Sequence, residues 1–242
     1  MQRIVSYRPP CPTRYSRRCQ TIPRKLALQI TRILAVRHGE TAWNRDTRIQ
    51  GHTDIALNER GRWQAERLGE ALKDEPIAAI YASDLGRAFE TAQAVARVKG
   101  LKVVPHTSLR ERHFGQFEGH TWADLEQRWP TEALAWRKRM PDFAPAGGES
   151  LHQLQLRVIP AVLALAARHP GEQVLMVAHG GVLDILYRAA TRLELQAPRS
   201  WELPNTGINR LLWSPEGLSL VGWGDTQHLQ IETGSALDAP SA

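Results

Sequence analysis

Short apolar runs of β-forming residues alternate along this chain with stretches of helical periodicity. The first run, residues 31–37, is followed within two residues by Gly39, as expected for a buried central strand. Similar runs follow at residues 77–81, 101–104 and 173–178. Strands that alternate with helices form mostly parallel sheets with helices on both faces. We therefore predict an α/β fold, a three-layer α/β/α sandwich with a mostly parallel central sheet.

The same periodicity predicts the helices and the last two strands. Ser150 is a candidate N-cap for the longest helix, and Pro160 is expected to bend or break it. The predicted helices span residues 62–72, 85–98, 151–168 and 182–190, with short helices near 121–139, and residues 208–213 and 218–221 predict a closing hairpin.

The positive charge of the chain lies in its first 31 residues. The net charge is +6, but residues 1–31 carry seven basic side chains and no acidic one, which leaves −1 for the rest. This segment also holds four prolines and lacks a strand or helix period, so we expect it to be disordered. We favour a misplaced start as its origin over a transit peptide or a basic arm. One domain at residues 32–230 and a tail at 231–242 complete the predicted organisation.

Several classes of protein fit the sequence poorly. A core of net charge −1 gives nucleic-acid binding little support. No apolar stretch is long enough for a membrane span, and no secretory signal is present. Both cysteines precede residue 20, so disulfides are not part of the predicted core, which suits a cytoplasmic protein. The oligomeric state stays open, with a homodimer as one alternative.

Polar, glycine-containing segments follow three of the predicted strands. Ligands of such sheets bind beyond the carboxyl ends of the strands. Arginine offers forked donors that match phosphate oxygens, and imidazole can attack phosphorus near neutral pH. Glycines let the backbone approach a ligand, and helix-start amides can donate to an anion. We predict a phosphate site with its own nucleophile from the segments Arg37-His38-Gly39-Glu40, Ser83-Asp84-Leu85-Gly86-Arg87 and Ala178-His179-Gly180-Gly181.

Six motifs, including these segments, resemble those of the histidine phosphatase superfamily. Their number and order make the resemblance specific, and it covers residues 32–230. It implies a phosphoglycerate mutase-like fold, a phosphohistidine intermediate and no metal or other cofactor. The motifs are Val36-Arg-His-Gly-Glu-Thr-Ala-Trp-Asn44, Gln50-Gly-His-Thr-Asp-Ile-Ala-Leu-Asn58, Ser83-Asp-Leu-Gly-Arg87, Leu109-Arg-Glu111, Gly147-Gly-Glu-Ser150 and Val177-Ala-His-Gly-Gly181.

The resemblance implies roles for the matching residues. His38 corresponds to the nucleophile, Glu111 to the general acid and His179 to a second imidazole at the phosphate. Arg37 and Arg87 correspond to phosphate clamps. Other expected substrate-binding residues are Asn44, Gln50, Gly51 and Gly180. We interpret Glu40, Asp84, Glu149 and the remaining histidines as structural or surface groups.

Phosphatases and cofactor-dependent phosphoglycerate mutases share this superfamily. Mutases similar to the glycolytic enzymes have a longer insert between the acid and the second histidine, whereas only 68 positions separate Glu111 from His179 here. Phe114 replaces the tyrosine of the mutase pattern, and residues 116–119 resemble the phosphatases. We predict a phosphomonoester hydrolase that acts on a small phosphorylated metabolite, with the mutase as the alternative. A non-catalytic phosphate-binding protein is a third alternative.

Two further patterns occur in the segment before the second histidine. The basic residues 137–139 could bind a carboxylate-bearing substrate, although a solvated helix face is the commoner explanation of such a run. Tryptophans recur every seven residues at 122, 129 and 136, and could either roof the pocket or pack within the domain.

Overall fold

The computed structural model describes residues 30–230, where six strands and seven α-helices follow one another. The strands are β1 (Thr31–Arg37), β2 (Ile77–Ala82), β3 (Val103–Pro105), β4 (Gln173–Ala178), β5 (Ile208–Ser214) and β6 (Gly217–Asp225). The helices are α1 (Ala42–Arg45), α2 (Glu59–Ala71), α3 (Gly86–Lys99), α4 (Trp122–Arg128), α5 (Pro130–Arg137), α6 (Leu151–Ala166) and α7 (Gly180–Thr191). Single turns of 3₁₀ helix lie at Thr107–Leu109, Gly115–Phe117 and Gln227–Leu229.

One six-stranded sheet has the order β3-β2-β4-β1-β5-β6. The first four strands of the chain are parallel, and the hairpin of β5 and β6 is antiparallel to them where β5 meets β1. The register places Arg37 opposite Ala178 and Ala82 opposite Val177. The carboxyl ends of β1, β2 and β4 therefore meet at one edge of the sheet.

Helices cover both faces of this sheet, as predicted. On β1, Ile33 and Ala35 pack into one apolar cluster with α6 and α7. Leu34 and Val36 point the other way and pack with α2 and α3. All four side chains are buried, so the strand contributes apolar surface to two cores at once. The three-layer α/β/α prediction is confirmed.

Two local predictions differ from the structure, one at the start of a strand and one at a proline within a helix. The strand predicted at residues 101–104 begins only at Val103, because α3 extends to Lys99 and Gly100 ends it in a left-handed conformation with the Leu101 amide bonded to Ala96. Ser150 caps α6 as predicted, but this helix continues through Pro160 to Ala166 without a break. The carbonyl that loses its partner belongs to exposed Leu156, on the solvent side.

Within residues 30–230, no helix combines the length and the apolar character needed to cross a membrane. The expectation of a disordered basic segment covers residues 1–31, of which only Ile30 and Thr31 are described, and Thr31 begins β1. Residues 1–29 and the expected C-terminal tail at 231–242 lie outside the described residues.

Candidate active site

Two histidines meet at the edge where β1 and β4 end. The backbone amide of His38 donates to the carbonyl of Ala178 at 3.0 Å, which continues the parallel ladder past the last paired residues. This register brings the rings of His38 and His179 to a centroid distance of 5.1 Å, with their planes tilted by 57°. Both side chains are buried. Residues that are 141 positions apart in sequence thus form a close imidazole pair.

The ring of His38 is fixed in one tautomer. Its Nδ1 donates to the carbonyl of Gly39 at 2.7 Å, and since a carbonyl only accepts, Nδ1 carries the hydrogen. Burial lowers the pKa of His38 well below its usual value, and the charges of Arg87 and Arg37 lower it further. The ring is therefore neutral near pH 7, and Nε2 presents a lone pair.

The ring of His179 is buried without a partner. Neither ring nitrogen makes a hydrogen bond to another group within residues 30–230. Burial, followed by the charge of Arg87, holds the pKa of His179 well below its usual value. Buried polar groups in native proteins almost always have partners, so an unsatisfied imidazole at a strand end indicates a ligand position.

Two arginines bring positive charge to the imidazole pair. Arg37 donates from one terminal nitrogen to the carbonyl of Leu203 at 2.6 Å, whereas its Nε is buried and unpartnered within the described residues. Arg87 is fully buried and donates to the carbonyls of Gly51 at 2.8 Å and Thr53 at 3.0 Å. Asp54 approaches Arg87 at 3.5 Å, whereas Arg37 is half-buried and has no ion pair within residues 30–230. Two cations beside neutral imidazoles favour an anion at this position.

Glu111 lies beside these groups, held by backbone amides. Its two carboxylate oxygens accept from the amide of Gly181 at 3.0 and 3.1 Å, and Oε1 also accepts from the amide of Arg112 at 2.7 Å. A Cβ on Gly181 would lie 2.3 Å from Oε1, so a side chain there would displace the carboxylate from this position. The start of α7 was predicted to donate to a ligand anion, but the Gly181 amide donates to this carboxylate instead.

The two glycines that were predicted to let the backbone approach the ligand differ. A Cβ on Gly39 would lie 2.5 Å from the carbonyl oxygen of Gly61, so this glycine permits close contact between the segment after β1 and α2. A Cβ on Gly180 would meet only ordinary contacts, 3.7 Å from Glu111 Oε2 and 3.8 Å from Arg37 Nε. Gly180 therefore lies between the carboxylate and the guanidinium, whereas the absence of a side chain at Gly39 serves packing against α2.

Three further residues that the resemblance implies for substrate binding have contacts in the structure. The side chain of Asn44 caps α1 by accepting from the amide of Thr41 at 3.1 Å, and it receives a longer contact of 3.4 Å from Asn205. Gln50 is buried, and its Oε1 has no partner within residues 30–230. Gly51 acts through its carbonyl, which holds Arg87.

Two residues that the sequence did not indicate support β1 at the site. Asn205 donates to the carbonyl of His38 at 2.8 Å, and the amide of Thr206 donates to the carbonyl of Arg37 at 3.0 Å. Both precede β5, and since β5 is antiparallel to β1, the start of β5 lies at the carboxyl end of β1. The polar run Asn205-Thr206-Gly207 directly before a predicted strand was the available signal.

Glu118 is a third residue that the sequence did not single out. Its Oε1 accepts from the amides of His52 and Phe114, both at 3.0 Å, and its Oε2 accepts from the amide and hydroxyl of Thr53 at 2.9 and 2.6 Å. Burial alone would raise the pKa of Glu118, but these hydrogen bonds outweigh burial and lower it. Glu118 thus fastens the loop whose carbonyls hold Arg87.

The acidic residues that we interpreted as structural have local partners. Glu40 accepts from Asn58 at 2.8 Å. Asp84 pairs with Arg110, and Glu149 pairs with Arg157 at 2.7 Å. Within residues 30–230, no group of three or more His, Cys, Asp or Glu side chains could hold a metal ion.

A cavity of about 600 Å³ opens from this edge. Arg37, Glu111 and Gly180 line one part of it, and the side chain of Trp136 lines another. Trp129 and Trp136 both pack on buried Phe117, with ring centroids 5.6 and 5.5 Å away. The tryptophans therefore belong mainly to a small apolar core, and Trp136 also forms cavity wall.

Comparison with known proteins identifies the family. The sequence model of the histidine phosphatase superfamily (branch 1) matches residues 33–226. Phosphoglycerate mutase-like protein 4 of Arabidopsis thaliana is 40% identical over 206 residues, which are 84% of this chain and 88% of that protein. The metal-independent phosphoserine phosphatase of the same plant is 37% identical over 208 residues, which are 85% of this chain and 86% of that protein.

A solved structure extends the likeness to the backbone. A mycobacterial glucosyl-3-phosphoglycerate phosphatase in complex with VO3 is 34% identical and superposes with a TM-score of 0.73, over 81% of this chain and 99% of that chain. The family match covers most of the chain and includes all three strand ends that carry the histidines and arginines. The chain belongs to the histidine phosphatase superfamily.

Proposed function

We propose that the chain hydrolyses small phosphomonoesters through a phosphohistidine formed on Nε2 of His38. The observation that carries this proposal is the buried pair of neutral imidazoles between two cationic arginines. A phosphate dianion accepts hydrogen bonds from the unpartnered N–H donors of Arg37 and His179 and balances the charge of the site. An imidazole with a free lone pair beside that phosphate is an effective nucleophile.

The first step transfers the phosphoryl group to the enzyme. Nε2 of His38 forms a bond to phosphorus while the bond from phosphorus to the ester oxygen breaks. The carboxyl group of Glu111 gives a proton to the departing oxygen, and the alcohol leaves. Arg37, Arg87 and His179 hold the non-bridging oxygens, where negative charge is concentrated during transfer.

The second step returns the enzyme to its initial state. The Glu111 carboxylate takes a proton from water, and the water oxygen bonds to phosphorus as the bond to Nε2 breaks. Inorganic phosphate leaves and Glu111 is again protonated. We expect Asn44, Gln50, Gly51 and Gly180 to form the surroundings of the phosphate, with Gly51 acting through Arg87.

Water is the proposed acceptor of the phosphoryl group. Two relatives are named as phosphatases, one of phosphoserine and one of glucosyl-3-phosphoglycerate, and their names support hydrolysis of small phosphorylated metabolites. The short segment between Glu111 and His179 also favours hydrolysis. Another relative is named phosphoglycerate mutase-like, so mutase activity is the alternative that the experiment includes.

A panel of phosphorylated metabolites tests this function. The wild type and His38→Ala are assayed for release of inorganic phosphate, and in parallel for interconversion of 2- and 3-phosphoglycerate with bisphosphoglycerate present. We expect phosphate release by the wild type alone, and no interconversion faster than hydrolysis. Interconversion that outpaces phosphate release would identify a mutase instead.

The two histidines of the site should resist protonation. Because burial and the arginine charges lower both pKa values, the rings of His38 and His179 stay neutral as pH falls through 6.5 and take up protons only well below it. Nitrogen-15 spectra of the histidine side chains, assigned with His38→Ala and His179→Ala, measure this. A short histidine-containing peptide, whose imidazole titrates near the ordinary value of about 6.5, is the reference. Midpoints near 6.5 for the site histidines would contradict the expected burial effect.

Glu118→Gln should weaken phosphate binding through Arg87. The new amide nitrogen faces backbone donors, and the mismatch costs about 1–3 kcal/mol, so we expect the inhibition constant of orthovanadate to rise about tenfold. Glu126→Gln, which alters an exposed ion pair with Arg137, is the matched control and should leave this constant unchanged. Unchanged vanadate inhibition in Glu118→Gln would show that the loop does not depend on this carboxylate.

The remaining expectations from the sequence concern location and partners. We propose that the protein acts in the cytoplasm, without nucleic acid as a partner. A homodimer stays an open alternative, which sedimentation of the purified protein would decide.

A further inference from the structure

The cavity extends beyond the phosphate end along α7. Gly180 and Gly181 line it at the first turn of this helix, and Asp184 lines it one turn later. Since each residue advances a helix by about 1.5 Å, Asp184 lies about 5–6 Å further along the axis. A substrate that is larger than phosphate itself would extend in this direction.

Asp184 holds an arginine at that position. Arg139 donates from its terminal NH2 to Oδ2 of Asp184 at 2.6 Å and from Nε to the carbonyl of Leu195 at 3.0 Å. Asp184 is buried and also accepts from Arg188 at 2.9 Å, so its carboxylate is shared between two cations. The other terminal nitrogen of Arg139 has no hydrogen bond within residues 30–230, and the side chain lines the cavity.

The walls of the cavity carry an excess of positive charge. Five arginines and only two carboxylates line it. Both carboxylates are already engaged, Glu111 by backbone amides and Asp184 by arginines. An excess of cations in a concave site attracts an anion and favours a substrate with more than one negative group.

The arginines differ in how much hydrogen-bonding capacity they retain. Arg112 donates to the carbonyls of Glu149 and Phe143 and lies over the ring of Trp136, so it is a structural part of the wall. Arg137 pairs with Glu126 and lies over Trp122.

Arg199 has no such partner. It is exposed and makes no ion pair or side-chain hydrogen bond to any residue of 30–230, and its charge lowers the pKa of both Arg37 and Arg139. It therefore lies near the catalytic guanidinium and near Arg139. Arg139 and Arg199 are the two cations with donors to spare beyond the phosphate end.

We infer that Arg139, together with Arg199, binds a second anionic group of the substrate, a carboxylate or a second phosphate, about one helical turn from the transferred phosphoryl group. This subsite rests on the proposed function and defines its substrate class. The preferred esters carry the second anion a few bonds from the phosphate. The apolar side chains of Phe114 and Trp136 cover the carbon skeleton between the two anionic ends.

Matched pairs of esters test the subsite. Glycerol 3-phosphate differs from 3-phosphoglycerate by a hydroxymethyl group in place of the carboxylate, and fructose 6-phosphate lacks the second phosphate of fructose 1,6-bisphosphate. The measured quantity is the ratio of kcat/KM between the acidic and the less acidic member of each pair, in the wild type and in Arg139→Gln. The pair with the larger wild-type ratio identifies carboxylate or phosphate as the second anion.

We expect a wild-type ratio above one in at least one pair, and a fall of about tenfold in that ratio in Arg139→Gln, because a hydrogen bond to a charged group is lost. Arg199→Gln should lower the same ratio while it leaves the contact of Arg139 with Asp184 intact. This variant therefore tests the subsite even if Arg139→Gln does not fold. Arg62→Gln, which alters an exposed arginine that pairs with Glu90 outside this cavity, is the control and should keep the wild-type ratio.

The outcomes separate the subsite from the proposed function. A wild-type ratio of about one in both pairs would overturn the subsite. An unchanged ratio in both Arg139→Gln and Arg199→Gln would also overturn it. In either case, hydrolysis of all four esters would still uphold the proposed function. Absence of phosphate release from every ester and from p-nitrophenyl phosphate would overturn the proposed function and the subsite with it.

Discussion

His38→Ala is expected to lower kcat for phosphomonoesters by at least about 10⁴-fold, as removal of a covalent nucleophile does in other enzymes. The Gly39 carbonyl fixes the tautomer in which Nε2 carries the lone pair, and the charges of both arginines act on this ring. The measurement is phosphate release from p-nitrophenyl phosphate, with the fold checked by circular dichroism.

His179→Ala is the matched variant for this prediction. It removes the neighbouring ring, 5.1 Å away, but leaves the nucleophile in place. We expect a smaller loss of about 10²–10³-fold, typical of a group that stabilises the charge of the transferred phosphate. If His38→Ala retained more activity than His179→Ala, the two roles would be reversed.

The effect of Glu111→Gln on the rate of the first turnover should depend on the leaving group. For an alkyl phosphate, whose alkoxide needs a proton, the first-turnover rate should fall about 10²–10⁴-fold. For p-nitrophenyl phosphate the rate should change little, because nitrophenolate leaves without protonation. Since the same carboxylate activates water in the second step, Glu111→Gln should also give a burst of nitrophenol that is followed by slow turnover. Rapid-mixing kinetics measure both effects.

Glu40→Gln is the control for this leaving-group dependence. Glu40 follows the nucleophile by two residues, but its carboxylate accepts from Asn58 and lies 3.7 Å from Arg60. We expect equal effects on both substrates in this variant. An equal loss for both leaving groups in Glu111→Gln would remove Glu111 from the role of proton donor.

The strand ends explain why much of the site could be predicted from the sequence. His38, Arg87 and His179 each follow an apolar run that is buried on both faces, and such runs are recognisable without a structure. Parallel pairing then brings the ends of β1, β2 and β4 to one edge whatever the connecting segments do. The remaining assignments, including Glu111, depended on the family resemblance.

The residues that were missed depend on features that periodicity does not reveal. Asn205 reaches His38 because β5 is antiparallel, which reverses the end at which polar residues meet the site. Glu118 acts through four hydrogen bonds to loop groups whose positions follow only from the tertiary structure. The packing role of Gly39 was not foreseen because its close neighbour, the Gly61 carbonyl, comes from a helix 22 positions later.

The central claim is that a phosphoryl group resides on His38 during turnover. The most direct test is rapid alkaline quenching of the wild type and of Glu111→Gln with a ³²P-labelled aryl phosphate, followed by peptide mapping. We predict an acid-labile, alkali-stable label on the peptide that contains His38, which accumulates in Glu111→Gln and is absent from His38→Ala. Turnover with no label on the enzyme, or a label on any other residue, would contradict the account.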